Sequence, residues 1–146
     1  MGGTPPPVNI LLVEDNPKDV EITRRGLEKR QVRHELTVAR DGQEALDILF
    51  CRGRDGVPKP GFILLDLNLP KVDGREVLER IRADSSLANI PVVVMTVSTR
   101  GEDIARCYEL GVKTFICKPP RSHEFILIAT LAQLYGPRKP YGSLAR

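Results

Sequence analysis

An α/β fold is predicted: a doubly wound five-stranded parallel sheet, strand order 2-1-3-4-5, with helices on both faces. Three observations predict it. Four runs, Val8–Val13, Phe62–Leu65, Pro91–Met95 and Thr114–Cys117, are mostly apolar without alternation, as in strands covered on both faces. Helical patterns separate them, giving β-α five times over, and right-handed crossovers turn that order into a parallel sheet. Each run also stops on residues able to do chemistry: Glu14-Asp15, Asp66, Thr96 and Lys118-Pro119. In such sheets the carboxyl ends of the strands form one edge, and ligands bind there. The order 2-1-3-4-5 sets strands one and three side by side, which brings Glu14 and Asp15 next to Asp66.

The elements follow in turn. Residues 1–7, rich in Gly and Pro, read as a disordered lead-in, and the domain spans 8–135. After the first strand, Asn16-Pro17 supplies an N-cap and a first helical residue, and the helix runs to Lys29. Asp15 has a plainer use available, as a cap for that helix. His34–Ala39 alternates polar and apolar residues, the pattern of a strand near a sheet edge. Asp41-Gly42 opens a second helix with Ala45, Leu46, Leu49 and Phe50 on one face. Arg52–Gly61 carries Gly, Pro and charge and reads as a loop. The strand ending at Asp66 leads through a loop to a helix from Arg75, with Val77, Leu78 and Ile81 inward. Asp84–Asn89 is a turn, and Pro91 opens the next strand where its missing N–H does least harm. A helix over Gly101–Leu110 ends on Gly111, suited to the C′ position. Thr114–Cys117 and a helix over Ser122–Tyr135 complete the fold, and residues 136–146 form a tail.

Composition narrows the function. A net charge of +3 with scattered Lys and Arg gives no basic stripe, so direct DNA binding is not expected. Three cysteines, Cys51, Cys107 and Cys117, share no metal spacing and make no disulfide framework, which points to a cytoplasmic protein. Cys117, in a strand, reads as a small core residue. With two histidines, His34 and His123, a histidine-based metal site is improbable. No stretch is long and apolar enough to span a membrane.

The carboxyl edge carries the chemistry. Three carboxylates within about 4 to 5 Å repel by roughly 4 kcal/mol per pair at an effective dielectric near 20, so Glu14, Asp15 and Asp66 together call for a proton or a cation. Mg²⁺ fits, being a hard ion that favours carboxylate and phosphate oxygens and keeps several waters. Asp66 would be the nucleophile, forming an aspartyl phosphate. Lys118 and the Thr96 hydroxyl would hold phosphoryl oxygens.

These motifs, Val13-Glu14-Asp15-Asn16, Leu64-Leu65-Asp66-Leu67-Asn68-Leu69-Pro70 with Asp73-Gly74, Met95-Thr96 and Cys117-Lys118-Pro119, together resemble the receiver domain of two-component response regulators, the CheY-like family. The resemblance covers about Val8 to Tyr135. It implies a flavodoxin-like fold and phosphoryl transfer to Asp66 from a sensor histidine kinase. It implies metal held by Glu14 or Asp15, Asp66 and the Asn68 backbone carbonyl, and a cis Lys118-Pro119 bond. It gives signalling roles to Thr96 and Lys118, and makes Phe115, three residues before the lysine, the switch aromatic. Asn68, Val97 and Ser98 take positions that govern access to the phosphoryl site. Val97 departs from the family, which usually has a small residue there, and a stiff β-branched side chain would restrict phosphodonors. A narrower likeness rests on the Cys51–Gly61 insert, Asp66-Leu67-Asn68-Leu69-Pro70 and Asp73-Gly74-Arg75-Glu76. These are similar to small stand-alone regulators that partner phytochrome-type histidine kinases.

Three functions compete. The leading one is a switch without its own output domain, acting through protein contact or a phosphorelay, since nothing after Tyr135 is long enough to form an output domain. A haloacid-dehalogenase-like phosphatase would usually carry a second aspartate where Asn68 stands. A pseudo-receiver working unphosphorylated has only Val97 in its favour. The last helix adds one expectation. Phe125, Ile126, Leu127, Ile128, Ala129, Leu131, Ala132 and Leu134 are too many for one inward stripe. Unless the tail covers them, they predict a homodimer interface.

Overall fold

The computed structural model describes residues 7–51 and 59–135. The lead-in before residue 7, most of the Arg52–Gly61 loop and the tail from 136 onward lie outside the described residues. Five strands alternate with five helices: β1 (Val8–Val13), α1 (Pro17–Lys29), β2 (His34–Ala39), α2 (Gly42–Phe50), β3 (Phe62–Leu65), α3 (Gly74–Ala83), β4 (Val92–Thr96), α4 (Gly101–Glu109), β5 (Thr114–Cys117) and α5 (Ser122–Tyr135). The strands form one parallel sheet in the order β2-β1-β3-β4-β5.

The two-residue period of a strand sorts the apolar runs onto two faces. Leu11, Val13, Ile63, Leu65, Val92 and Val94 pack with residues of α2, α3 and α4, including Leu49, Leu78 and Cys107. Ile10, Leu12, Phe62, Leu64, Val93 and Met95 pack with Val20 and Leu27 of α1 and Phe125, Ile128 and Ala132 of α5. All four residues of β3 are fully buried, so truncating Leu64 to alanine should cost about 2–5 kcal/mol. The alternating strand, β2, lies at an edge, where one side of its chain meets no neighbour.

Local chemistry sets the helix starts. Asn16, not Asp15, caps α1, its side chain accepting from the Lys18 N–H at 2.9 Å. Asp41 caps α2 by accepting from Glu44 N–H, and Glu44 reaches back to Arg40 N–H, a reciprocal cap that satisfies two otherwise unpaired donors. Gly26 lets α1 approach α5: a Cβ there would stand 2.4 Å from the Phe125 ring. At the amino edge of the sheet, the Arg82 guanidinium donates to the carbonyls of Leu110, Ala88, Ile90 and Gly111. This ties the end of α3 to the end of α4 and to the turn before β4. Gly111 takes φ +77°, as a C′ residue after α4.

Three sequence expectations change. Phe50 is exposed rather than inward, with the Arg80 guanidinium 5.5 Å over its ring. At about 3.6 residues per turn, Phe50 lies roughly 100° round the helix from Leu49, at the margin of the face that Ala45, Leu46 and Leu49 bury. Cys117 is exposed, and Cys107 of α4 is the cysteine in the core. Cys117 sits at the end of an edge strand, so no further strand covers it. The fourth helix stops at Glu109, one residue short of Leu110, which serves as its C-cap.

Candidate functional site

Backbone pairing carries the strands just past their formal ends and aligns the functional residues. Glu14 N–H donates to Ala39 C=O, Asp66 N–H to Val13 C=O, and Lys118 N–H to Thr96 C=O. Adjacent parallel strands therefore present Glu14, Asp66, Thr96 and Lys118 on one edge. Gly74 lets the loop after β3 fold closely: a Cβ there would stand 2.2 Å from the Asp66 carbonyl. The Lys118–Pro119 peptide is cis.

Lys118 lies at the centre. Its Nζ donates to Glu14 Oε1 at 2.6 Å, Asp66 Oδ2 at 2.8 Å and Asp19 Oδ2 at 2.9 Å. Burial works against its charge, but hydrogen bonds to Asp66, Glu14 and Asp19 outweigh that and hold the ammonium above its ordinary range. Burial pushes the Glu14 carboxyl up, opposed by its hydrogen bonds from Lys118 and from Asn16 N–H. The second Asp66 oxygen, Oδ1, accepts from Asn68 N–H at 3.0 Å. Glu14 and Asp66 are buried and Asp15 is exposed, and the three offer carboxylate oxygens within 4.8 Å of one another. Hard, anionic oxygen donors at this spacing, two buried and one open to water, fit a divalent ion that keeps part of its hydration shell.

Thr96 is fully buried, its Oγ1 accepting from Asn68 Nδ2 at 3.3 Å and Ser98 N–H at 3.4 Å. Phe115, half-buried, packs against the α2–α3–α4 core, and its N–H donates to the Tyr108 hydroxyl. Val97 is 63% exposed. Ser98 donates from Oγ to Asp103 Oδ2 at 2.7 Å.

Sequence reasoning missed two features. Asp19 reads as a first-turn acid of α1, the usual partner of a helix N-terminus, yet it reaches Lys118 across 99 residues of sequence. Its place one turn after Glu14-Asp15, on a helix starting at the edge, was the available signal. The second is the pair between Arg75 and the buried Asp103: Nε to Oδ1 at 2.8 Å and Nη2 to Oδ2 at 2.7 Å. Arg75 also donates to Asp73 and to Leu67 C=O. The loops after β3 and β4 are thereby joined. Asp103 is held well below the usual carboxylate range by Arg75 first, with Ser98 adding to it.

Sheet order, a carboxylate trio at the switch point and a lysine bonded to two of its members, Glu14 and Asp66, define the class: α/β signalling domains with an acidic pocket at the carboxyl edge. The chain belongs to the response regulator receiver domain family, which residues 10–130 match. It is 45% identical over 114 residues to "Response regulator Rcp1" of Synechocystis sp., covering 77% of this chain and 78% of that one. Among solved structures, the Mn²⁺-bound form of Rcp1 superposes with a TM-score of 0.77 at 38% identity, covering 90% and 96% of the two chains. The phosphorylated cyanobacterial phytochrome response regulator RcpA gives 0.77 at 40%, covering 88% and 94%. The bacteriophytochrome response regulator AtBRR gives 0.75 at 45%, covering 90% and 95%. The chain is thus a two-component signalling domain whose acidic cluster suits a divalent metal. No helix among the described residues is long and apolar enough to cross a membrane.

Proposed function

We propose that Asp66 accepts a phosphoryl group from a sensor histidine kinase, with Mg²⁺ as the cation, and that the chain signals through phosphorylation-dependent protein contact or onward relay. The observation that carries this is Lys118 Nζ at 2.8 Å from Asp66, beside the trio of Glu14, Asp15 and Asp66. An Asp66 oxygen attacks phosphorus as the P–N bond of the donor phosphohistidine breaks, and the electron pair leaves with the imidazole. Lys118 donates to a phosphoryl oxygen, and Asn68 N–H keeps the Asp66 carboxylate oriented. Glu14, Asp15 and Asp66, with the Asn68 carbonyl, would hold Mg²⁺, which supplies positive charge to the transferring phosphoryl oxygens.

Thr96 is the proposed sensor of the new group and Phe115 its follower. The phosphoryl group adds charge and acceptor oxygens toward which the Thr96 hydroxyl can turn, vacating space for Phe115. Kinship with regulators named for phytochromes supports a phytochrome-type kinase as the partner. The absence of a disulfide among Cys51, Cys107 and Cys117 fits a cytoplasmic setting. The exposed Ile126, Leu127 and Leu134 of α5 support a homodimer through that helix.

Intact-mass measurement after incubation with Mg²⁺ and acetyl phosphate tests the acceptor. One phosphoryl group should add to the parent chain, and none with chelator or in Asp66→Asn. Full labelling of Asp66→Asn would refute the assignment.

A further inference from the structure

Lysine carries three N–H donors and no acceptor. In Lys118 all three are used, by Glu14, Asp19 and Asp66. A phosphoryl oxygen can gain a bond from Lys118 only by displacing one of these partners. The three differ in what the reaction does to them. Asp66 is the group consumed: conversion to an acyl phosphate removes its carboxylate charge and with it most of its hold on the ammonium. Glu14 belongs to the carboxylate trio that could hold a cation. Asp19 belongs to neither set. Its carboxylate is anchored in the first turn of α1, and its side chain is 28% exposed, so water offers it an alternative partner. It nonetheless points at Nζ.

We propose that Asp19 is a positioning residue for phosphoryl transfer, the partner that keeps the Lys118 ammonium at the acceptor while Asp66 is being phosphorylated. The inference rests on Asp66 being the phosphoryl acceptor. Lysine's four-carbon stem has many rotamers, and Asp19 restricts them from a fixed helical position. As phosphorus bonds to Asp66 and the donor's bond to phosphorus breaks, the electron pair leaves with the donor. The N–H released by Asp66 then passes to a phosphoryl oxygen. The ammonium swings about its bond to Asp19 instead of drifting to water. The plainer role for Asp19, favouring the α1 N-terminus by its charge, predicts a change in stability and none in Lys118.

Two variants separate these roles. Asp19→Ala removes both charge and acceptor; Asp19→Asn removes the charge but keeps an acceptor oxygen. With acetyl phosphate and Mg²⁺, transfer gives an aspartyl phosphate and acetate, followed by intact mass. Misplacement of about 1 Å can cost a hundredfold in such steps, so Asp19→Ala should label roughly tenfold more slowly than the parent. Asp19→Asn should stay within about threefold of it. Magnesium affinity by titration calorimetry should change less than about twofold in both. The Lys118 ¹⁵Nζ resonance, identified by its loss in Lys118→Arg, should be protected from exchange in the parent and Asp19→Asn and vanish in Asp19→Ala. Labelling of Asp19→Ala at the parent rate or faster would overturn the proposal, as would an unmoved Lys118 resonance or a loss of rate matched by lost metal affinity. Failure of the parent chain to label would strike the acceptor reading itself, and the positioning role with it.

Discussion

Replacing Asp103 by asparagine should destabilise the fold by about 2–3 kcal/mol at neutral pH. Asp103 accepts two bonds from Arg75 and one from Ser98, with only 7% of its side chain exposed. Removing one partner of a fully buried pair costs about 3–5 kcal/mol. Arg75, however, is 33% exposed and keeps Asp73 as a second partner, so water and Asp73 recover part of that loss. At about 2–4 °C per kcal/mol for a chain of this size, the melting temperature should fall about 5–10 °C. The pH dependence has a definite sign. The folded Asp103 carboxyl lies below its ordinary 3.8, so its contribution is complete above 3.8 and disappears as pH falls through the lowered folded value. Parent and variant should therefore differ by a constant amount from neutral pH down to about 4 and converge below it. Thermal unfolding from pH 3 to 7, with Arg75→Met and the double variant completing a cycle, measures both. A neutral-pH loss under 2 °C, a coupling energy below about 0.5 kcal/mol, or a gap that widens toward acid would refute the reasoning.

Thr96→Ala should still take up phosphate but lose any phosphorylation-dependent association; undiminished coupling would show that the signal leaves Asp66 by another route. Val97→Ala should speed both labelling by small phosphodonors and autodephosphorylation, and unchanged rates would show that the exposed side chain stands clear of the approach to Asp66. Gly26→Ala sets a methyl against the Phe125 ring and should cost about 1–3 kcal/mol, read as a shift in the urea midpoint with unchanged slope. Sedimentation velocity at micromolar concentration should reveal a dimer that Ile126→Glu abolishes; a strictly monomeric parent, phosphorylated or not, would refute the α5 interface.

Local pattern made the frame of this molecule legible. Phe62–Leu65 could only be a strand buried on both faces, and Asn16 and Asp41 announce their helices by capping chemistry. Once parallel topology is assumed, the strand ends collect themselves, so the sequence alone groups Glu14, Asp66, Thr96 and Lys118. Contacts between side chains on separate elements were not legible. Arg75 and Asp103 lie 28 residues apart on two helices, and each alone reads as a solvated helix-surface charge. Asp19 was hidden for the same reason. Cys117 was misassigned because strand membership does not reveal burial at an edge: it closes the outermost strand, and the cysteine in the core is Cys107, on the inner side of α4.

Arg82 divides the molecule into unequal poles. Its guanidinium answers four carbonyls from two loops, including those at the C-terminal end of α4, and no other cationic side chain has the planar fork to do so. A lysine there would reach one or two of those oxygens and leave the rest under-bonded. The amino-edge loops are thus riveted to one side chain, while the opposite edge is held by charge pairs among Lys118, Glu14, Asp19 and Asp66. Under the proposed phosphorylation of Asp66, a rearrangement near Thr96 would act on the carboxyl-edge end of α4 while Arg82 holds its far end, and the helix surface would tilt rather than slide.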